Sequence, residues 1–308
     1  LHKGRLSVAT TRLGTIETLA DKATKLQPFQ INLRKIREAV DQILKEWKGS
    51  GFFREYTTHD FSHVEGMLAT ANWIIPESTK AVMTPADWLM LTLSLYFHDL
   101  GLLITKDEFE KRSKNSEFQE FREKPFVDAR EYQDYRASID QMPEPARERT
   151  LYEEYVRLTH GARVRRWITG EQSPDTESTL AIRKILSPLL SDLDEIFLQD
   201  LGNVCESHTR DDLENRNKYP VSQPYGDEQE TCNVQYIALV LRTVDLLQIT
   251  KKRAPSIAFQ LINPTRVAKQ ANLPFSPIKS QGKLACLATD IAKCPNLLIL
   301  LLYLLLQP

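Results

Sequence analysis

Apolar residues recur three or four positions apart along most of the chain. This spacing is typical of helices that bury one face. No convincing pair of strands, internal repeat or glycine-rich phosphate loop is visible. The pattern therefore predicts an all-α fold. One of the stripes ends at Gly49 and Gly51 and contains Ile31, Ile36, Val40, Ile43, Leu44 and Trp47.

Two of the predicted helices have clear starting points. One begins near Asp60 and stops before the next proline. The other has Thr84 as its N-cap and Pro85 at its first helical position, where the missing N–H costs nothing. This helix is predicted to continue through His98, with Gly101 placed to end it.

The second half of the chain predicts further helices around a charged segment. Residues Lys106 to Arg149 are dense in charge, which indicates exposed helices or a mobile insertion. The prolines and polar residues between Glu214 and Glu230 indicate a loop. Helices are predicted at about 151–168, 177–190, 192–208 and Cys232 to Ile249.

Composition excludes several classes of protein. Of the 308 residues, 42% are hydrophobic and 26% charged, as in an ordinary globular protein. Lys and Arg (40) nearly balance Asp and Glu (41), so no global field favours duplex nucleic acid. The four cysteines lack CxxC spacing, which indicates free thiols in a reducing cytoplasm.

Both chain ends are unusual. The chain begins at Leu1 without a visible signal peptide, and we expect natural residues to be missing from at least one end. The apolar run from Leu297 to Leu306 is roughly half of the ~20 residues that cross a bilayer, so no membrane contact is expected. It is interpreted as a buried element, the stump of a truncated domain or a non-native tail.

The histidines and their acidic neighbours carry the chemical signal. His98 and Asp99 are adjacent in an apolar stretch, where an unpaired carboxylate costs several kcal/mol to bury. A divalent cation removes that cost. On a continuous helix the two side chains diverge by about 100°, so that Asp99 could reach towards a second ion. His63, His160, His208 and Asp245 complete the order H…HD…H…H…D across separate predicted helices.

Five segments together resemble the HD superfamily of metal-dependent phosphohydrolases, and most closely the HD domains of bacterial conflict and defence proteins (HD-CE type). The resemblance implies an all-α HD-domain helical bundle over residues 30–265 with a charged insertion at about 106–149. Residues 1–29 would form an extension and 266–308 a separate C-terminal segment. The segments are YTTHDFSHVEGML, LYFHDLGLL, RLTHGARVRRWI, VCESHTRDDL and LRTVDLLQITKKRAP.

The resemblance also implies a ligand set. Asp99 would bridge two divalent ions, and a hydroxide between them would attack a phosphoester of a nucleotide, cyclic nucleotide or related small molecule. Imidazoles and carboxylates without thiolate suit one or two ions of Mn, Fe, Ni, Co or Mg. The first ion would be held by His63, His98, Asp99 and Asp245, and the second by Asp99, His160 and His208.

Each ligand also has a plainer interpretation. His98 and Asp99 could form a satisfied core pair without metal, and Asp245 could be the ion-pair partner of Arg242 one turn earlier. His63, His160 and His208 could be surface or capping histidines. Without the last two, the site would hold a single ion.

Further residues are candidates for catalysis or substrate binding. The resemblance implies a phosphate contact for His59, which could equally cap a helix, and Asp212 could assist proton transfer or merely lie at a helix end. Arg242, Lys251 and Lys252 could bind substrate phosphate, although such a run is often a solvated helix end.

Two other functions remain open at this point. The HD scaffold could be a regulatory module that senses a nucleotide for a neighbouring domain. A closely similar ligand order also occurs in HD-type di-iron oxygenases. The sequence is compatible with an oligomer and identifies neither the substrate nor the metal.

Overall fold

The computed structural model of the chain describes residues 13–48, 61–123, 133–171, 177–227 and 230–247. Within these residues the fold is helical, as predicted. Two 3-10 turns (Leu100–Leu102 and Arg112–Lys114) interrupt the helices, and two short strands form a hairpin, β1 (Gln223–Tyr225) and β2 (Glu230–Cys232). The helices are α1 (Thr15–Ala23), α2 (Leu33–Lys48), α3 (Phe61–Ile74), α4 (Glu77–Lys80), α5 (Pro85–Phe97), α6 (Lys106–Glu110), α7 (Ser116–Glu123), α8 (Gln133–Asp140), α9 (Glu144–Thr169), α10 (Glu177–Leu190), α11 (Glu195–Ser207) and α12 (Val234–Leu247).

Helix α5 forms the centre of the bundle. Every residue from Ala86 to Phe97 is buried, which explains why this helix is apolar on all sides. It packs against α1, α3, α11 and α12. Its start is the predicted one: the Thr84 hydroxyl accepts the Asp87 N–H at 3.1 Å, and Asp87 accepts the Thr84 N–H at 2.9 Å.

The N-terminal part of the chain contributes to this core. Helix α1 lies along α5, and Ile16, Ala20 and Ala23 are buried between them. Phe29 is also fully buried and packs on Phe197 of α11, with 4.9 Å between ring centres. Residues 15–29 of the predicted N-terminal extension are therefore integrated into the helical bundle.

The charged segment is less exposed than its composition suggested. Phe118 of α7 and Ile139 of α8 belong to the hydrophobic core, and Glu108 of α6 is 1% exposed. The segment also runs into the first turns of α9, which begins at Glu144. Within the described part of this segment, α7 and α8 pack against α9 and α6 packs against α10.

The β-hairpin corrects the prediction that no strand pair is present. Three-residue strands that contain Pro224 give almost no signal in the sequence, because strand propensity needs longer runs. The hairpin is held by its contacts with the start of α5. The Thr84 hydroxyl donates to the Thr231 carbonyl at 2.6 Å, and the Asn233 N–H donates to Asp87 at 2.8 Å. Among the described residues, no helix is both long and apolar enough to cross a membrane.

The buried carboxyl of Asp200 on α11 is expected to make the free energy of unfolding depend on pH. Burial raises its pKa from 3.8 to about 6, although the Tyr225 hydroxyl, 2.9 Å away, opposes this shift and nearby Asp194 adds to it. Because the folded-state pKa lies above the unfolded value, this carboxyl favours folding at low pH. That contribution is lost as the pH rises from about 4 through 6.

Replacing Asp200 by asparagine removes the buried charge and keeps an acceptor for Tyr225. One pKa unit corresponds to about 1.4 kcal/mol, so we expect Asp200→Asn to raise the free energy of unfolding by about 1–3 kcal/mol at pH 7.5. At pH 4 the variant should equal the wild type. Urea denaturation at both values measures this, and an identical difference at both would contradict the assignment.

Candidate metal centre

The six predicted ligands converge in the middle of the bundle. They come from α3, the end of α5, α9, the end of α11 and α12, and all are buried. Their side-chain nitrogen and oxygen atoms form two groups, and within each group the atoms lie within 4.8 Å of one another. The surface interpretations of the three isolated histidines are therefore wrong. The groups are His63, His98, Asp99 and Asp245, and Asp99, His160 and His208.

Asp99 belongs to both groups and presents one oxygen to each. Its Oδ2 lies 3.3 Å from Nε2 of His98 and 3.9 Å from Nε2 of His63. Its Oδ1 lies 3.4 Å from Nε2 of His160 and 3.7 Å from Nε2 of His208. A single carboxylate thus joins two adjacent ligand positions.

The local backbone corrects the expected geometry of the His98–Asp99 pair. Helix α5 ends at Phe97, His98 is its C-cap, and Asp99 lies beyond it with φ −96° and ψ −2°. The chain then forms the 3-10 turn Leu100–Leu102, so Gly101 lies inside this turn and does not end the helix. A Cβ on Gly101 would lie 2.0 Å from the His160 carbonyl oxygen, so the glycine is required where this turn meets α9.

Backbone carbonyls fix the orientation of three imidazoles. In each case Nδ1 faces the carbonyl three residues earlier: Leu95 for His98 at 3.1 Å, Arg157 for His160 at 2.6 Å, and Cys205 for His208. Because a carbonyl oxygen only accepts, the neutral ring then carries its proton on Nδ1 and keeps its lone pair on Nε2. Metal-binding histidines are commonly held in this way.

These lone pairs make the centre suitable for cations. Nε2 of His160 and Nε2 of His208 face each other at 2.7 Å, which is repulsive unless a proton or a metal ion lies close to both. Nε2 of His98 is buried and makes no hydrogen bond to any described residue. Imidazoles and carboxylates without a thiolate fit divalent ions of the Mn, Fe, Co and Ni type.

Close helix packing brings the second group together. Gly161 follows His160 on α9 at the contact with α11, and a Cβ there would lie 2.3 Å from the Thr209 hydroxyl. Gly202 of α11 lies against Arg165 of α9 in the same interface. The absence of side chains at both glycines allows α9 and α11 to approach closely.

Comparison with known proteins agrees with this arrangement. The HD-CE family model matches residues 53–279, which is well over half of the chain and includes all six candidate ligands. The chain belongs to the HD-CE family. No curated protein and no solved structure matches it.

The other predicted site residues of this HD-CE chain do not belong to the two ligand groups formed by the described residues. Arg242 is buried on α12, one turn before Asp245. Burial and the carboxylate of Asp212 raise the pKa of the Tyr219 hydroxyl, and the positive charge of Arg242 partly opposes this shift. The predicted residues His59, Lys251 and Lys252 lie outside the described residues.

Asp212 lies in the loop between α11 and β1 and is held there by two hydrogen bonds. Lys218 Nζ donates at 2.9 Å and the Tyr219 hydroxyl at 3.0 Å. Burial opposes ionisation, but these donors outweigh it and lower the pKa of the Asp212 carboxyl. At neutral pH it is therefore an anion, which favours accepting a proton over donating one. Its catalytic role stays a prediction.

The HD-CE site also contains supporting residues that the sequence analysis missed. Glu108 and Arg163 form a buried ion pair beside the centre, with Arg163 one turn after His160 on α9. A periodicity signal for Arg163 does exist: His160, Arg163 and Trp167 share one helical face, so a charge at 163 falls on the buried side. Glu108 had no comparable signal.

Proposed function

We propose that this HD-CE chain is a metal-dependent phosphohydrolase that cleaves a phosphoester in a nucleotide-like small molecule. The observation that carries the proposal is the pair of ligand groups joined by Asp99, with one carboxylate oxygen facing each group. Two ions held by these groups would lower the pKa of a water and neutralise charge on a phosphoryl group. No serine or cysteine nucleophile is then required.

The protein's own residues would supply the remaining requirements. The backbone carbonyls hold His98, His160 and His208 with Nδ1 occupied, so that Nε2 of each neutral ring is available to a cation. Burial of the ligands excludes bulk water and strengthens electrostatic interactions. Arg242 is proposed to hold a substrate phosphate, and Asp212 to accept a proton. A cytoplasmic location and a role in bacterial defence are proposed with the same function.

Hydrolysis in labelled water tests this proposal. Metal-depleted protein is reloaded with Mn²⁺, Co²⁺, Ni²⁺ or Mg²⁺ and assayed against nucleotides and cyclic nucleotides. The active combination is then run for a single turnover in water enriched in oxygen-18. We expect the label in the phosphate product, because water attacks phosphorus. Chelated protein is the control.

Three outcomes would contradict the proposal, and two of them point to another function. Oxygen consumption by the iron-loaded protein would indicate the di-iron oxygenase chemistry. Saturable nucleotide binding without turnover under any metal would indicate a sensing module. Unlabelled phosphate from an active enzyme would show that the broken bond is not the one proposed.

A further inference from the structure

A buried ion pair links the charged segment to the metal centre. Glu108 of α6 and Arg163 of α9 are 1% and 0% exposed, and Arg163 Nη1 lies 2.6 Å from Glu108 Oε1. The Tyr152 hydroxyl donates to the same oxygen at 2.7 Å. A buried ion pair often adds little stability over apolar residues of similar size, but it restricts the geometry of what it joins.

The second arm of Arg163 reaches the chain just after Asp99. Its Nη2 donates to the Leu103 carbonyl at 2.8 Å. Leu103 follows the 3-10 turn that starts directly after Asp99, and Arg163 lies one turn after His160 on α9. The guanidinium therefore connects the two segments that carry the facing ligands Asp99 and His160.

Glu108 fixes the position of this guanidinium. Its other carboxylate oxygen, Oε2, faces the Thr105 N–H at 3.4 Å, and its own N–H donates to the Thr105 hydroxyl at 3.1 Å. Both carboxylate oxygens are thus engaged, one by Arg163 and Tyr152 and the other by the start of α6. A charged residue of the inserted segment is in this way tied to the turn behind Asp99.

We infer that the Glu108–Arg163 pair is a positioning device for the second ion, so that the inserted segment helps to build the metal centre. The inference rests on the metal-binding role proposed above. Its effect should be larger at the second position for a geometric reason. The pair spans the segments of Asp99 and His160, which supply two of the three ligands there, whereas three of the four ligands of the first position, His63, His98 and Asp245, lie on α3, α5 and α12.

Titration of the metal-free protein with Co²⁺, followed by visible absorption, tests the inference. Glu108→Gln keeps the shape of the side chain and removes its charge. We expect the affinity for the second ion to fall by about 10- to 100-fold, as for other residues that orient metal ligands, and the affinity for the first ion to fall much less. If Glu108→Gln does not fold, Tyr152→Phe removes one hydrogen bond to the same oxygen and should weaken the second ion several-fold.

Glu17→Gln is a matched control. Glu17 is buried in α1, accepts a hydrogen bond from Arg37 Nε at 2.9 Å, and also accepts from the Tyr96 hydroxyl. It therefore forms the same kind of Glu–Arg–Tyr cluster, between α1, α2 and α5, helices that carry neither His160 nor His208. We expect this variant to lose thermal stability without a selective loss of the second ion.

The outcomes separate the inference from the proposal beneath it. A wild-type chain that binds no Co²⁺ would overturn the metal-binding role itself. A wild type that binds two ions, with Glu108→Gln affecting both equally or neither, would overturn only the positioning role. Loss of the second ion in Glu17→Gln together with normal binding in Glu108→Gln would also overturn it.

Discussion

Asp99→Ala is expected to abolish hydrolysis and to weaken both ions at once. Asp99 is the one described residue that belongs to both ligand groups, with Oδ2 and Oδ1 directed to different histidines. Its loss should remove several kcal/mol of transition-state stabilisation, which corresponds to a rate decrease of about a thousandfold or more. Steady-state hydrolysis and Co²⁺ titration of the variant measure the two effects.

Asp87→Ala is the matched control for this variant. Asp87 lies at the opposite end of α5, where it forms the capping box with Thr84 and accepts the Asn233 N–H. Its loss should cost about 0.5–2 kcal/mol of stability and leave ion binding intact. Equal loss of activity in both variants would show that Asp99 acts through folding. Full activity in Asp99→Ala would remove it from the site.

Gly101→Ala is expected to destabilise the protein strongly for the addition of a single methyl group. The new Cβ would lie 2.0 Å from the backbone oxygen of His160 and 2.8 Å from its carbonyl carbon. Because backbone atoms of a packed helix cannot yield cheaply, the turn must move away from α9. We expect a cost of about 1–3 kcal/mol or more, and weaker binding of the second ion. Thermal unfolding and Co²⁺ titration measure these changes.

Gly202→Ala tests whether the identity of the contacting atom matters. A Cβ at this position would meet side-chain atoms of Arg165 and Thr169 at 3.0 Å, and alanine favours the helix more than glycine does. The variant should therefore be affected much less. A melting temperature of Gly101→Ala equal to that of the wild type would contradict the close contact of the turn with α9.

The start and the end of α5 differ in how far the sequence predicts them. Its start depends on the capping chemistry of Thr84, Pro85 and Asp87, which are neighbours in the chain, and this prediction is confirmed. The turn that follows its end depends on the packing of Gly101 against His160, which lies 59 residues further along the chain. The helix ends within one residue of the predicted His98, but no local pattern contains that contact, and the expectation that Asp99 lies on the same continuous helix was wrong.

In the candidate metal centre, too, some residues could be predicted from the sequence and others could not. The grouping of its six candidate ligands could be predicted, because a buried Asp beside a buried His is costly without a cation and because the order of the remaining residues resembles a known family. The residues that orient them could not be predicted. The carbonyls of Leu95, Arg157 and Cys205 carry no side-chain signal, and the contact of Glu108 with Arg163 depends on packing between distant segments.

Ion binding by the wild type and by His208→Ala tests the central claim most directly. His208 belongs only to the second group, so its loss should leave the first position intact. Isothermal calorimetry of the metal-free proteins with Co²⁺ should give a stoichiometry of two ions per chain for the wild type and one for His208→Ala. The account is contradicted if the wild type shows no saturable binding, or if His208→Ala binds as many ions as the wild type does.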